Sequence, residues 1–310
     1  MNREEAVLGA EQPMARGVLL QQEPLARHTS WRVGGPAERF YQPADLSDLV
    51  GFFSRLPEWE PLFWLGLGSN VLIRDGGIRG TVVCTKNRLR VIRIEGPARV
   101  YAEVGISCAQ VARFCADRGL VGAEFLAGIP GTLGGALAMN AGAFGGETWN
   151  LVRRVLTTDR CGRVVWRMPH EFEVGYRHVH GPKGEWFLAA ELSLVPGDRK
   201  AGRERIKALL ARRAATQPIQ QPSCGSVFRN PPGDYAARLI ESCGLKGRRI
   251  GGARVSEKHA NFIVNLGYAR AKDIEDLIQH VRDQVALRFG VWLEPEVRIV
   301  GEHDGDHGED

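Results

Sequence analysis

The sequence predicts an α+β fold of two or three units, and three observations carry that reading. The chain has 310 residues, enough for more than one core. Between about residues 60 and 195, short segments rich in Val, Ile and Leu alternate with glycine turns, as strands do. Longer stretches with apolar residues at helical spacing interrupt them and dominate the last third. A hydrophobic content of 44% and a charged content of 25% match an ordinary globular protein.

Residues 1–20 are expected as a frayed or helical lead-in. Their early acidic residues and lack of a long apolar core argue against a secretory signal and for a cytoplasmic location. "LFWLGLG" and "TVVC" read as strands around glycine-rich turns, followed by "RVIRIEG", "ARVYAEVG", "RRVLTTDR" and "RVVWRM". In "SCAQVARFCADRG", Val111, Phe114 and Cys115 sit at helical spacing and Gly119 ends the helix. Cys108 and Cys115 are therefore core residues. "EWFLAAELSLVPGD" is a further strand. "RKAGRERIKALLARRAATQP" reads as a basic amphipathic helix stopped by Pro218, and a boundary between larger units falls at about 197–215. The last third reads as helix ("GDYAARLIESCGLKG"), strand ("HANFIVNLG"), helix ("AKDIEDLIQHVRDQVALRFG") and strand ("LEPEVRIVG"), an α+β domain of about a hundred residues.

Composition excludes several classes. No run of about 18 apolar residues spans a membrane. The six cysteines form no C-x-x-C pair, so a zinc knuckle is unsupported and the thiols are expected free. His178 and His180 in "HVH" have no second ligand cluster, and no metal is expected. The net charge is +5, and the tail 302–310 holds five acidic residues and no basic ones. Adding those five charges back leaves +10 on the remainder, a body suited to phosphorylated small molecules. Without a basic run interleaved with aromatics, nucleic acid is not an expected partner. The tail is expected as a solvated, disordered end.

The richest stretch is Ala127–Glu147, "AGIPGTLGGALAMNAGAFGGE", with seven glycines. Such density lets backbone approach a ligand and aim N–H groups at phosphate oxygens. "GLGSN" at Gly66–Asn70 follows a strand in the same manner. Neither is a dinucleotide fingerprint, and neither has the lysine of a P-loop. Taken singly, each reads as a tight turn; together, in a basic chain, they favour a phosphate-bearing cofactor held by backbone. "FEVGYRHV" offers Tyr176 and Arg177, "GSVFRNP" offers Ser226, Arg229 and Asn230, and "LEPEVRIV" places Glu294 and Glu296 in a strand. An Arg–Glu pair could polarise a carboxylate while a hydroxyl delivers a proton. Cys224 has no histidine near it in sequence, so a Cys–His nucleophile is unsupported.

"GLGSNVLI", "GIPGTLGGALAMNAGAFGGE", "YR" at Tyr176, "GSVFRNP", "VSEKHANFIVN" and "LEPEVRIVG" occur in the order found in UDP-N-acetylenolpyruvoylglucosamine reductases, and from about Thr29 to Gly301 the chain resembles that family. The resemblance implies an FAD enzyme of peptidoglycan precursor synthesis. It also implies a two-subdomain FAD-binding fold of the vanillyl-alcohol oxidase type plus a C-terminal α+β substrate-binding domain. Its expected divisions are a lead-in at 1–20, FAD-binding subdomains at 21–84 and 85–197, a substrate-binding domain at 198–301 and an acidic tail at 302–310. The opening "SWRVGGPAERF" would lie near the flavin.

Carried over by position, the family's proton donor falls on Ser226 and its substrate-activating residues on Arg177 and Glu296. FAD contacts fall on Gly66, Gly68, Ser69 and Asn70, and on Gly128, Ile129, Pro130, Gly131, Thr132, Gly134, Gly135, Asn140, Ala141 and Gly142. Tyr176, Arg229 and Asn230 fall on substrate contacts. The family's longer form has an insertion after "YR" whose tyrosine closes over the nucleotide. Here "YRHVHGPKGEWFLAAEL" runs into the next strand, as in the shorter subtype, leaving Arg213, Lys258 and His259 as candidates for the uridine diphosphate. The implied reaction uses NADPH to reduce FAD, then transfers hydride from flavin N5 to C3 of UDP-N-acetylglucosamine enolpyruvate and a proton from Ser226 to C2. A monomer is expected. The rivals are another FAD-linked oxidase of the same fold and a non-catalytic nucleotide-sugar binding protein.

Overall fold

The structure, a computed structural model, describes residues 16–305. Its first sheet has the order β1 (Val18–Pro24), β2 (Pro36–Gln42), β5 (Ile78–Cys84), β3 (Leu62–Leu65), with β2, β5 and β3 parallel. Alternate residues of β2 and β5 face two cores, as the strand period of two requires. Phe40 and Val82 join Leu25, Leu65 and Ile73 on one side, while Tyr41 and Val83 join the larger core on the other. Being covered on both faces is why "TVVC" reads as an unbroken apolar run.

A five-stranded antiparallel sheet follows. It contains β6 (Ile92–Gly96), β7 (Arg99–Glu103) and strands at Val152–Asp159, Val164–Arg167 and Glu185–Ser193. Its inner residues Val100, Val155, Leu188 and Leu192 share the large core with Tyr41 and Val83, and with α1 (Leu46–Phe53) and α2 (Cys108–Ala116). Ser107 and Gln110 form a capping box at the start of α2, and Gly119 follows its end at φ +68. Cys108 and Cys115 are buried in that core. The glycine-rich stretch is not all loop: Thr132 caps a short helix, α3 (Leu133–Ala138).

The third unit packs α5 (Ala236–Ser242) and α6 (Ala271–Phe289) on a small sheet with strands Ala253–Val255 and Ile263–Asn265. Ile274, Leu277, Ile278, Val281 and Val285 form the buried stripe of α6, which ends on left-handed Gly290. The chain end returns to the first unit, where strand Arg298–Val300 pairs in parallel with β4 (Val71–Ile73). Trp31 reaches the other way: it is fully buried, donates its Nε1–H to the Ile263 carbonyl at 2.7 Å, and accepts from Asn265 at 2.8 Å.

Four expectations need revision. The lead-in is strand from Val18, while residues 1–15 lie outside the described residues. The basic helix α4 (Arg199–Thr216) buries only Gly202 and Ile206. It packs on α2 and the turn at Glu124–Gly128, rather than opening the third unit. Glu294 and Glu296 precede their strand, which begins at Arg298. The first tail residues are docked, with Glu302 backbone-bonded to Gly76 and Gly77 and ion-paired with Arg79, and Asp304 paired with Arg270. The remainder, 306–310, lies outside the described residues. Among the described residues, no helix is long and apolar enough to cross a membrane.

Candidate active site

Arg177 lies with Tyr176 at the turn between hairpin strands Glu173–Gly175 and His178–His180, in the left-handed region at φ +60. That turn aims the guanidinium back at the glycine-rich segment. Its Nη2 donates to the Gly142 carbonyl at 2.9 Å, its Nη1 to the Asn140 carbonyl at 3.5 Å, and its Nε lies 3.1 Å from Glu296 Oε1. Asn140 is buried and fixes the hairpin from below. It donates to the Gly175 carbonyl at 3.2 Å and to Glu147 at 3.0 Å, and accepts from the Trp149 N–H at 3.1 Å.

Ser226 sits on a stretch clamped from two sides. The Val227 and Phe228 N–H groups donate to the main-chain and side-chain oxygens of Asn261, whose amide donates back to Phe228 at 2.8 Å. On the other side, the Glu296 N–H donates to the Val227 carbonyl at 2.7 Å. Gly225, at φ +83, makes the turn that an L side chain would strain. The Ser226 hydroxyl has no protein hydrogen-bond partner among the described residues. Asn70 closes the ring of contacts by donating to the Glu296 carbonyl at 3.1 Å and accepting on its own carbonyl from Arg298 at 3.1 Å.

These groups converge on one cleft of about 220 Å3. Ser226, Arg177 and Glu296 line it together with Ser69, Asn70, Gly128, Ile129, Pro130, Ala141 and Gly142. Met139, Gln217 and Phe262 also line it, and nothing in the sequence marked them. Cys224 is there too, but burial and then the Glu296 charge push its thiol well above the ordinary range, so it is no nucleophile at neutral pH.

Gly66, Thr132, Gly134 and Gly135 line a second cavity of about 350 Å3. A Cβ on Gly66 would come within 2.4 Å of Thr132 Oγ1, and one on Gly131 within 3.3 Å of Ser69 Oγ, so the two loops pack closely at these glycines. This surface suits a long flavin nucleotide on two counts. The N–H groups of Leu67, Gly68, Ser69 and Asn70 donate to no protein acceptor among the described residues, which leaves them for phosphate oxygens. Trp64, which lines the second cavity, has a buried Nε1–H without a partner.

The remaining candidates spread out. Tyr176 is exposed, and Arg229 donates to the Arg177 carbonyl at 3.2 Å. Asn230 accepts from the Ala236 N–H at the start of α5, a capping contact outside the cleft. Lys258 donates to the Ala214 carbonyl and lines a different cavity. His259 packs on Phe262 and accepts from the Asn261 N–H, while burial lowers its pKa. Arg213 lines the cavity next to the cleft. Among the described residues, no three His, Cys, Asp or Glu side chains form a metal-holding group.

Burial raises the Glu296 carboxyl above the ordinary glutamate range, while the charge and hydrogen bond of Arg177 and the charge of Arg229 oppose the shift without cancelling it. The folded protein thus holds this proton more tightly than the unfolded chain does. The resulting stabilisation is complete below the unfolded value of about 4.3 and is lost as pH rises through the raised value. Glu296→Gln, uncharged at every pH, lacks that dependence. Its stability relative to wild type should therefore improve between about pH 4 and pH 8. Denaturant midpoints at the two pH values check this, and a difference that does not change with pH would count against it.

The fold and the two cavities define a flavoprotein: residues 39–167 match the family model described as FAD binding domain. Residues 217–300 match the model described as UDP-N-acetylenolpyruvoylglucosamine reductase, C-terminal domain. The chain is 78% identical over 288 residues to the UDP-N-acetylenolpyruvoylglucosamine reductase of Methylococcus capsulatus, covering 93% of this chain and 95% of that protein. It is 64% identical over 296 residues to the Alkalilimnicola ehrlichii reductase, covering 96% and 99%. The crystal structure of the Thermus caldophilus reductase superposes with a TM-score of 0.79 at 32% identity, covering 92% of this chain and 98% of that one. The chain belongs to the UDP-N-acetylenolpyruvoylglucosamine reductase family, FAD-dependent oxidoreductases of peptidoglycan synthesis.

Proposed function

We propose that this chain reduces UDP-N-acetylglucosamine enolpyruvate to UDP-N-acetylmuramate with NADPH as reductant, with Ser226, Arg177 and Glu296 as its catalytic residues. The observation that carries the reading is the Arg177–Glu296 contact at 3.1 Å, in the same cleft as Ser226 and the glycine loops. FAD, when bound, supplies the hydride that C3 of the enol ether receives, having taken it from NADPH. Ser69, Asn70, Gly128–Gly131 and Ala141–Gly142 would hold it beside the cleft, and Gly66, Thr132, Gly134 and Gly135 beyond.

Negative charge developing on C2 and the substrate carboxylate meets the Arg177 guanidinium, held in advance by two carbonyls and Glu296. Glu296 orients that guanidinium. Because its carboxyl holds a proton more readily than an ordinary glutamate, it adds less opposing charge. The Ser226 hydroxyl gives its proton to C2 and is reprotonated from solvent. Serine is a weak acid, but a carbanion is a strong base and the hydroxyl is fixed in position. Among the substrate contacts, Tyr176 and Arg229 flank Arg177 and are assigned to the sugar nucleotide.

We also infer a monomer working in the cytoplasm. One chain completes the cleft, and all six cysteines are unpaired, the state a reducing compartment maintains. The test is spectroscopic. Purified protein should show a flavin absorbance band that NADPH bleaches anaerobically and the enolpyruvyl nucleotide restores. Colourless protein, or bleached flavin that the nucleotide leaves unchanged, would refute the reading.

A further inference from the structure

No residue of the basic helix α4 (Arg199–Thr216) lines the catalytic cleft. The helix carries seven basic residues and a single acidic one, Glu204. Its net charge of +6 exceeds the +5 of the whole chain, so the rest of the protein is slightly negative.

These charges do not serve the helix. Arg199 and Lys200 stand in its first turn, where the helix dipole disfavours cations, and that turn holds no acidic residue. Arg199 and Arg203, and again Arg203 and Lys207, are like charges four residues apart, a destabilising spacing. Few of them tie the fold together. Arg203 pairs with Asp117 at the end of α2 at 2.6 Å, but Arg199, Lys200, Arg205, Lys207 and Arg212 make no ion pair among the described residues. Cations kept against the helix's own preference, and left unpaired, point to an anionic partner outside the molecule.

The shape of the face selects that partner. At about 100° per residue, Arg199, Lys200, Arg203 and Lys207 line one flank of the exposed face, and Arg205 and Arg212 the other. All six are exposed, and between the flanks runs a ridge of alanines broken by Glu204. A ridge that low lets long cationic side chains on both flanks reach one plane, along about 20 Å of helix. A specific protein partner needs aromatic or apolar anchors. Helix α4 has no aromatic residue, and its one exposed large apolar side chain is Leu210 at 37%. A nucleic-acid groove would receive the ridge itself, and alanine offers neither a stacking ring nor a donor for base edges. A flat field of negative headgroups requires neither.

We propose that α4 docks the protein on an anionic lipid surface, lying along it with the alanine ridge down and the cations of both flanks against the headgroups. The contact is electrostatic and reversible, without an inserted apolar anchor, and it leaves the catalytic cleft free.

The test is cosedimentation of the flavin-loaded enzyme with vesicles of phosphatidylcholine, alone or mixed with phosphatidylglycerol. Wild type should bind the mixed vesicles at about 0.05 M salt and leave them at about 0.5 M, where the screening length falls to about 4 Å. It should ignore the neutral vesicles at both. The variant Arg199→Gln/Lys200→Gln/Arg205→Gln/Lys207→Gln should bind about 10²–10³-fold more weakly, at roughly fivefold per charge. The milder pair Lys200→Gln/Lys207→Gln should lose about 25-fold. Glutamine keeps the helix propensity, and none of the four positions lines the cleft, so flavin content and kcat in solution should stay at wild-type values. A control removes four exposed charges elsewhere, as Arg90→Gln/Arg248→Gln/Arg249→Gln/Arg288→Gln, and should keep wild-type binding.

Absence of binding to the mixed vesicles at low salt would overturn the proposal, and so would equal binding to neutral ones. Equal losses in the helix variant and the control would reduce the effect to overall charge and overturn it too. Tighter binding to polyuridylate or duplex DNA than to the mixed vesicles, lost in the same helix variant, would give the face to nucleic acid instead.

Discussion

Ser226→Ala is expected to let NADPH bleach the flavin at the wild-type rate and to slow reoxidation by the enolpyruvyl nucleotide by about 10²–10⁴-fold, the range for a lost general acid. The asymmetry follows from where the hydroxyl sits. It shares the cleft with Arg177 and Glu296 and has no structural partner among the described residues. Its removal costs the fold little, within about 0.5 kcal/mol for a side chain outside any network. The clamp that positions residue 226 is made by the backbone of Val227 and Phe228 with Asn261, and it survives the substitution. Stopped-flow absorbance resolves the two half-reactions. An alanine variant that reoxidises at close to the wild-type rate would remove Ser226 from the mechanism.

Arg177→Lys should lower kcat by about 10²–10³-fold, the effect of losing one preorganised donor to developing charge. Lysine is the informative replacement because residue 177 has φ +60. Arginine and lysine pay the same backbone penalty there, so the loss reports the guanidinium alone. That group meets the carbonyls of Gly142 and Asn140 and the carboxylate of Glu296 at once, from one rigid fork. An ammonium cannot span those three positions and also grip a substrate carboxylate. The variant carries a second signature. Arg177 is the largest influence lowering the Glu296 pKa, so weakening it lets burial raise that carboxyl further. The limb of the kcat–pH profile that reports Glu296 should move to higher pH. A lysine variant with wild-type kcat and an unshifted profile would exclude the assigned role.

Much of this site could be read along the chain, for definite reasons. The glycine loops stand out because only glycine fits where Gly66 meets Thr132. Helices α2 and α6 announce themselves by capping residues and by apolar spacing that needs no partner to be recognised. Ser226, Arg177 and Glu296 were singled out through the order of the motifs that carry them, and the structure brings the three to one cleft.

What stayed hidden depends on contacts between distant segments. Asn261 looks like any polar residue in "HANFIVN", yet it holds the stretch bearing Ser226. Asn140 was read as a cofactor contact, but its side chain braces the hairpin that carries Arg177. Asn230 was read as a substrate contact, and its Oδ1 accepts from the Ala236 N–H at the start of α5, a link across six residues.

By itself, then, the sequence determined the elements and the residue types with chemistry to offer, because periodicity, caps and glycine density are local properties. Tertiary structure alone decided that α4 packs on the first units with its cations outward, and that Lys258 and His259 lie outside the cleft. Those outcomes depend on which surfaces meet across hundreds of residues. Burial, which raises the Glu296 carboxyl, exists only once they have met.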